Sequence, residues 1–245
     1  MLVVHGVTNT GARYRRLAQE GLPGHRVLAP DLRGHGWSTW DPPWGADDHV
    51  ADLVDTLDAA GIARASVVGH SFGGLLGILL AAAAPDRVER LALLDPAVAV
   101  DPAWAARQAE AVRRDDGWSG RAEARAARRA LRPPQAAGTV DEDLETFLAE
   151  DADGRVRLRF SRPAAITAWS EMARPAPSLA GYPGEVLLVP AQRDGYVTDA
   201  LRAALGRDLG ERLREHPIDA GHMLFWDAHE ELSVVLRGFL AEPAG

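Results

Sequence analysis

Ala65-Ser66-Val67-Val68-Gly69-His70-Ser71-Phe72-Gly73-Gly74 decides the fold of this chain. The run starts apolar and β-branched, passes a serine set between two glycines, and continues into the apolar stretch 74–84. A strand that turns sharply into a helix holds the residue at the turn in strained backbone geometry, and only glycine leaves room on both sides of it. G-x-S-x-G at such a junction lifts a serine hydroxyl to a helix N-terminus, where free N–H groups and the dipole favour negative charge. The pentapeptide alone is a weak signal. The strand before it and the helix after it give it weight.

Outward from this stretch, short β-like runs alternate with helical patterns, as in a parallel sheet. Strands are expected over residues 2–5, 26–29, 65–69, 91–94, 185–189 and 212–217. Helices are expected over 13–19, 47–60, 72–83, 199–209 and 229–240. Between about 96 and 179 the rhythm breaks. That segment is rich in Ala, Arg and Glu, punctuated by Pro133-Pro134 and Pro175-Ala176-Pro177. It has helix-length stretches at 102–113 and 120–131 and no convincing strand, so it reads as a helical insertion. Trp104, Phe147 and Trp169 argue against a disordered linker, because they need something to pack on.

Composition narrows the function classes. The 245 residues suit one larger α/β domain with an insertion. The 35 acidic residues outnumber the 27 basic ones, which argues against a nucleic-acid surface. Every basic residue is Arg, so Arg clusters are poor evidence of function here. With no Cys there is no disulfide framework, thiolate nucleophile or Cys metal site. No apolar run is long enough to span a membrane, and the start lacks the basic and long apolar regions of a secretory signal. The expected location is the cytoplasm.

A serine needs a base, and the base needs an acid to orient it. In an open α/β sheet such groups gather at the carboxyl ends of strands. His222, in Asp219-Ala220-Gly221-His222-Met223, follows the last expected strand and is the base by position. His216 and His229 read as structural, and His49 as an exposed helix residue. Two aspartates follow strands. Asp194 lies one strand before His222 and is favoured; Asp95 precedes Pro96 and also has an account as a turn residue. The oxyanion hole needs two backbone N–H groups. Phe72 supplies one, and Val7, in the loop His5-Gly6-Val7-Thr8, is chosen for the other. His5 reads as a hydrogen-bonder under that loop. Thr8 is placed near the substrate, and the Gly-rich segment 31–38 is expected to brace the loops. Trp37 and Trp169 are chosen as pocket walls, each with a plain packing alternative.

These pieces, His5-Gly6, the 31–38 segment, Gly69–Gly73, Asp194 and Gly221-His222, resemble the α/β-hydrolase superfamily. The resemblance is to its small capped members of the esterase, C–C hydrolase and cofactor-free haloperoxidase type. It implies a mostly parallel sheet flanked by helices, a core of residues 1–95 and 180–245, and a helical cap over 96–179. It implies Ser71 as nucleophile, His222 as base and Asp194 as orienting acid, with no metal and no cofactor. The chain departs from the pattern in three ways. The two leading strands of the family sheet are either missing or lie upstream of Met1, Ala191 stands where a Gly is usual, and the cap matches nothing familiar. Without those strands, 26–29 becomes an open sheet edge, and the expected state is a monomer or homodimer. The implied activity is hydrolysis of a carboxylic ester or lactone through an acyl-enzyme. The alternatives are a C–C bond hydrolase of aromatic-ring breakdown products, with Arg174 and Trp169 as cap groups, and a slow-turnover ligand receptor. The expected partner is a small ester-like molecule, with no nucleic acid and no membrane.

Overall fold

A computed structural model describes residues 1–130 and 147–241. Its centre is a five-stranded sheet of β1 (Leu2–Val4), β2 (Ala65–His70), β3 (Val88–Leu94), β6 (Val186–Val189) and β7 (Leu213–Glu215), in the order β1-β2-β3-β6-β7. Every pair in it is parallel, with Val3 beside Val68, Val68 beside Ala92, and Leu93 beside Leu188. The strand period of two sends alternate residues to opposite faces. Val67, Leu91, Leu93, Val186 and Leu188 face one core. That core is covered by α1 (Ala46–Ala59), α2 (Phe72–Ala83) and α6 (Asp199–Leu209). Val3, Val68, Ala92, Leu94 and Leu187 face the other, covered by Tyr14, Leu17, a short helix α7 (Leu224–Asp227) and α8 (His229–Ala241). Both faces are buried, so the centres of the strands are apolar on both sides, as at Val67-Val68, 91–94 and 186–189.

The strand expected over 26–29 shrinks to one rung. Val3 donates to the Leu28 carbonyl at 2.8 Å and Leu28 donates to that of Met1 at 2.9 Å. The helix expected over 13–19 is instead a 3-10 turn, Gly11–Tyr14, and a π-helical turn, Leu17–Gly21. Gly11 lies so close to the Ala29 carbonyl that a Cβ there would stand 1.9 Å from its oxygen, which locks this turn against the sheet edge.

Between β3 and β6 run α3 (Pro102–Arg113), α4 (Arg121–Ala130), an antiparallel pair β4 (Leu148–Glu150) and β5 (Val156–Leu158), and α5 (Arg162–Met172). The hairpin corrects the expectation of no strand here. Its strands are three residues long, too short for an alternation signal. Arg157 within it is held by Asp151 and Asp153, a charge pattern that reads as loop. The Pro133-Pro134 break and Leu131 lie outside the described residues. Asp101 caps α3 by accepting the Trp104 N–H at 2.7 Å. Ala105, Ala168, Trp169 and Met172 join the main core, so α3 and α5 are packed onto the sheet domain. Among the described residues no helix is long and apolar enough to cross a membrane.

Candidate active site

Ser71 ends the turn from β2 into α2 with φ 57° and ψ −120°, a conformation costly for a residue with a side chain. The turn is tight enough to exclude side chains on both sides. A Cβ on Gly69 would stand 2.3 Å from the Gly73 oxygen, and one on Gly73 would stand 2.1 Å from the Val4 oxygen. Ser71 lies buried in a cavity of about 280 Å³ that His222 also lines. No hydrogen bond joins the two side chains in this structure.

The His222 ring meets Asp95, not the expected Asp194. Its Nδ1 lies 2.5 Å from Asp95 Oδ2. Asp95 follows β3 at φ 41°, is fully buried, and accepts backbone N–H groups of Ala191 at 3.2 Å and Tyr196 at 3.1 Å. Asp194 is exposed and accepts the backbone N–H of His222 at 2.7 Å. Order along the chain misled because the loop after β7 folds back across β6. There the His222 carbonyl reaches His70 on β2, at 2.9 Å, and the ring reaches the end of β3. A carboxylate on the imidazole Nδ1 holds the tautomer that leaves Nε2 bare.

Two buried histidines shape the loop after β1. A His5 Nδ1–H donates to the Gly6 carbonyl at 2.8 Å while Nε2 accepts the Leu32 N–H at 2.9 Å. A His35 Nδ1–H donates to the Arg33 carbonyl at 3.1 Å while Nε2 accepts the Thr8 N–H at 3.2 Å. These bonds require neutral rings, and burial drives the pKa of His5 well below its ordinary value and that of His35 to about 4. Asp31 accepts the Gly11 and Trp37 N–H groups, each at 2.9 Å, so the 31–38 segment braces the loop. The Thr8 N–H is bound to His35, the Asn9 N–H donates to the Gly6 carbonyl at 3.2 Å, and Val7 lines the cavity. The Phe72 N–H opens α2 and has no carbonyl a turn behind it. Gly6 permits the close approach, since a Cβ there would stand 2.9 Å from that of Ser71.

Thr8 and Trp169 line the cavity. Trp37 does not. It is 71% exposed, with the Arg159 guanidinium 3.8 Å above its ring. Positive φ at Gly34 and Gly36 turns the loop outward, and the bond from its N–H to Asp31 fixes it there. Arg174 is exposed and pairs with Glu171, away from the cavity. His49 is buried, not exposed; its ring meets Phe72 edge-on at 5.5 Å. Sequence reasoning missed Tyr196, whose ring lies 4.3 Å from that of His222 and 5.0 Å from that of Trp104. Its place two residues after Asp194 was the available signal. Arg13, Gln108 and Arg128 also line the cavity, and the Arg-only composition hid the two arginines.

A sheet of this order, with serine, histidine and aspartate converging from three strand ends, defines a fold class, and comparison with known proteins gives the same class. The chain belongs to the alpha/beta hydrolase fold family, whose model matches residues 1–229. It is 39% identical over 247 residues to lipase LipV of Mycobacterium tuberculosis, a match covering 98% of this chain and 92% of that protein. It is 37% identical over 95 residues to esterase YbfF of Escherichia coli, covering 39% of this chain and 37% of that one. The solved structure of E-2-(acetamidomethylene)succinate hydrolase superposes with a TM-score of 0.84 at 22% identity, covering 99% of this chain and 91% of that one. At that identity the superposition speaks for the fold alone.

Proposed function

We propose that the protein is a serine hydrolase that cleaves a carboxylic ester or lactone through an acyl-enzyme on Ser71, His222 and Asp95. The observation that carries this reading is the 2.5 Å contact between His222 Nδ1 and the buried Asp95, beside a serine at a strained strand-to-helix turn. Ser71 Oγ attacks the carbonyl carbon while His222 Nε2 takes its proton. The tetrahedral oxyanion is met by the N–H groups of Phe72 and Val7. Collapse breaks the bond to the leaving oxygen, which receives the proton from His222. A water, deprotonated by the same nitrogen, then attacks the acyl-serine and frees the acid and Ser71. The described residues 96–130 and 147–179 act as a cap in this reading, because Gln108, Arg128 and Trp169 reach the cavity from them. The names of the lipase and esterase relatives support the ester class.

Ser71→Ala is expected to abolish turnover of a short p-nitrophenyl ester while leaving the circular dichroism spectrum intact. Wild-type turnover in that variant would overturn the mechanism. A second reading has one observation in its favour. The chain is 36% identical over 102 residues to the 2-hydroxymuconate semialdehyde hydrolase of a Pseudomonas species, covering 40% of this chain and 36% of that one. Turnover of a vinylogous diketone, with none of simple esters, would reverse the ranking toward C–C bond hydrolysis.

A further inference from the structure

The residue before Ser71 has no step in that reaction, yet it touches the residue read as the base. His70 is 1% exposed and ends β2. Its Nε2 lies 2.9 Å from the carbonyl oxygen of His222, a residue 152 positions further along the chain. A carbonyl only accepts, so His70 Nε2 carries the proton and donates it. The two imidazoles lie 4.5 Å apart, centroid to centroid, tilted by 34°. Phe225 meets the His70 ring edge-on at 5.2 Å. The other nitrogen, Nδ1, is buried with no hydrogen-bond partner among the described residues. It faces Gly6, where a Cβ would stand 3.4 Å from it and 2.9 Å from Ser71 Cβ.

We propose that His70 is a positioning residue that sets the distance between Ser71 and His222, acting as a strut from the turn to the backbone of the base. The proposal rests on the reading of Ser71 as nucleophile and His222 as base. His222 is held at three points: its N–H by Asp194 at 2.7 Å, its ring by Asp95 at 2.5 Å, and its carbonyl by His70 at 2.9 Å. The first two tie it to loops after β6 and β3. The third ties it to the residue bonded to the serine, so it fixes the coordinate along which the proton travels. Asp194 is exposed, and its bond competes with water; the bond from His70 is shielded, which strengthens it. Burial, and then the neighbouring His222, lower the pKa of His70, which makes its free Nδ1 a weak base for the serine proton. A misplacement of about 1 Å at such a site lowers rate by roughly a hundredfold.

A side chain that only fills space and one that positions by its donor give different results. His70→Phe keeps a ring of similar volume and removes the donor. His70→Gln loses the ring but returns an N–H donor at about the reach of Nε2. Turnover of p-nitrophenyl acetate is to be measured per active site titrated with a fluorophosphonate, beside the downfield proton resonance of His222 Nδ1–H. His70→Phe is expected to lower kcat by about 10- to 100-fold with KM within about threefold, and to shift or broaden that resonance. His70→Gln is expected to recover most of the lost kcat and the resonance. Wild-type kcat per titrated site with an unmoved resonance in His70→Phe would overturn the proposal. Equal losses in the Phe and Gln variants would do so too, because the donor would then not matter. If instead Ser71→Ala retained wild-type turnover, the nucleophile assignment would fail, while the resonance would still read the contact between His70 and His222.

Discussion

The ends of β3 and β6 each present an aspartate to the His222 loop, and they hold it differently. Asp95 sits inside the protein, takes N–H bonds from the loop after β6, and meets the imidazole. Asp194 sits in solvent and meets the backbone of the same residue. The difference teaches that the part an acid plays is set by burial and by what it touches. Its place in the chain order does not decide it. In the proposed reaction, a buried carboxylate on the ring would favour the imidazolium formed during proton transfer, in a medium that screens little. An exposed one on a backbone amide secures a loop.

Exchanging each carboxylate for an amide should separate these parts most sharply. Asp95→Asn is expected to lower kcat by about 10³- to 10⁴-fold, the size of effect seen when an orienting acid is lost and the imidazole takes the wrong tautomer. Asp194→Asn is expected to stay within about tenfold of wild type, since an amide oxygen still accepts the His222 N–H. Steady-state turnover of a p-nitrophenyl ester reads both. A larger loss at Asp194 than at Asp95 would break the comparison and return the orienting part to the β6 loop.

The glycines beside the two acids give a smaller contrast of the same kind. A Cβ on Gly195 would stand 2.7 Å from Asp95 Oδ1 and 2.2 Å from the Ala191 carbonyl oxygen. One on Gly221 would meet Asp227 Oδ2 at 2.7 Å and Asp194 Oδ1 at 2.9 Å, both ends of side chains that can swing aside. Gly195→Ala must therefore move backbone or displace Asp95, and a loss in kcat of about 10- to 100-fold is expected. Gly221→Ala is expected to lose less than about fivefold. Similar kcat values for the two variants would show that the loop after β6 yields as easily as the loop after β7.

Much of this arrangement was legible in the residues. The elbow and its flanks were, because two tight glycine contacts leave a pattern that few other structures need. Expected and observed helices share both ends at 72–83, 102–113 and 199–209, where Ser71, Asp101 and Thr198 mark the starts. The acid was not legible. Two aspartates followed strands, and the choice depended on how a loop after β7 crosses β6, a long-range fact without local signature. His49 misled because a histidine was read as polar by type; by helical spacing it shares its face of α1 with Ala46, Leu53 and Leu57, and that face docks on α2, where the ring meets Phe72. The hairpin of residues 148–158 was too short to announce itself.

Buried histidines around the site carry the comparison into stability. His5, His35, His49 and His70 all have pKa values lowered mainly by burial, those of His35 and His49 to about 4. In the unfolded chain they titrate near 6.5. Below that the unfolded state binds protons that the folded state refuses, so the stability they contribute is complete above about pH 6.5 and is lost as pH falls toward 4. Each group removes up to about 1.4 kcal/mol per pH unit within that window. Thermal melts should therefore drop steeply from pH 6.5 to 4.5. Neither ring nitrogen of His49 has a hydrogen-bond partner among the described residues. His49→Leu is expected to change stability little at pH 7.5 and to gain about 2 kcal/mol over wild type at pH 5. A variant whose melts parallel wild type at every pH would show that His49 takes up its proton as readily in the folded protein as in the unfolded chain.

Exposure predicts the smallest effect at Trp37. It was a natural choice for pocket wall, and it stands 71% exposed, outside the cavity, under the Arg159 guanidinium. What Trp37→Ala removes is an exposed cation–π contact, worth about 0.5–1 kcal/mol. Chemical denaturation should register a loss of that size or less, with kcat/KM for p-nitrophenyl esters of every chain length unchanged. A chain-length-dependent fall in kcat/KM would mean that the loop over 34–44 folds inward when substrate binds, and that Trp37 belongs with Trp169 on the wall of the site.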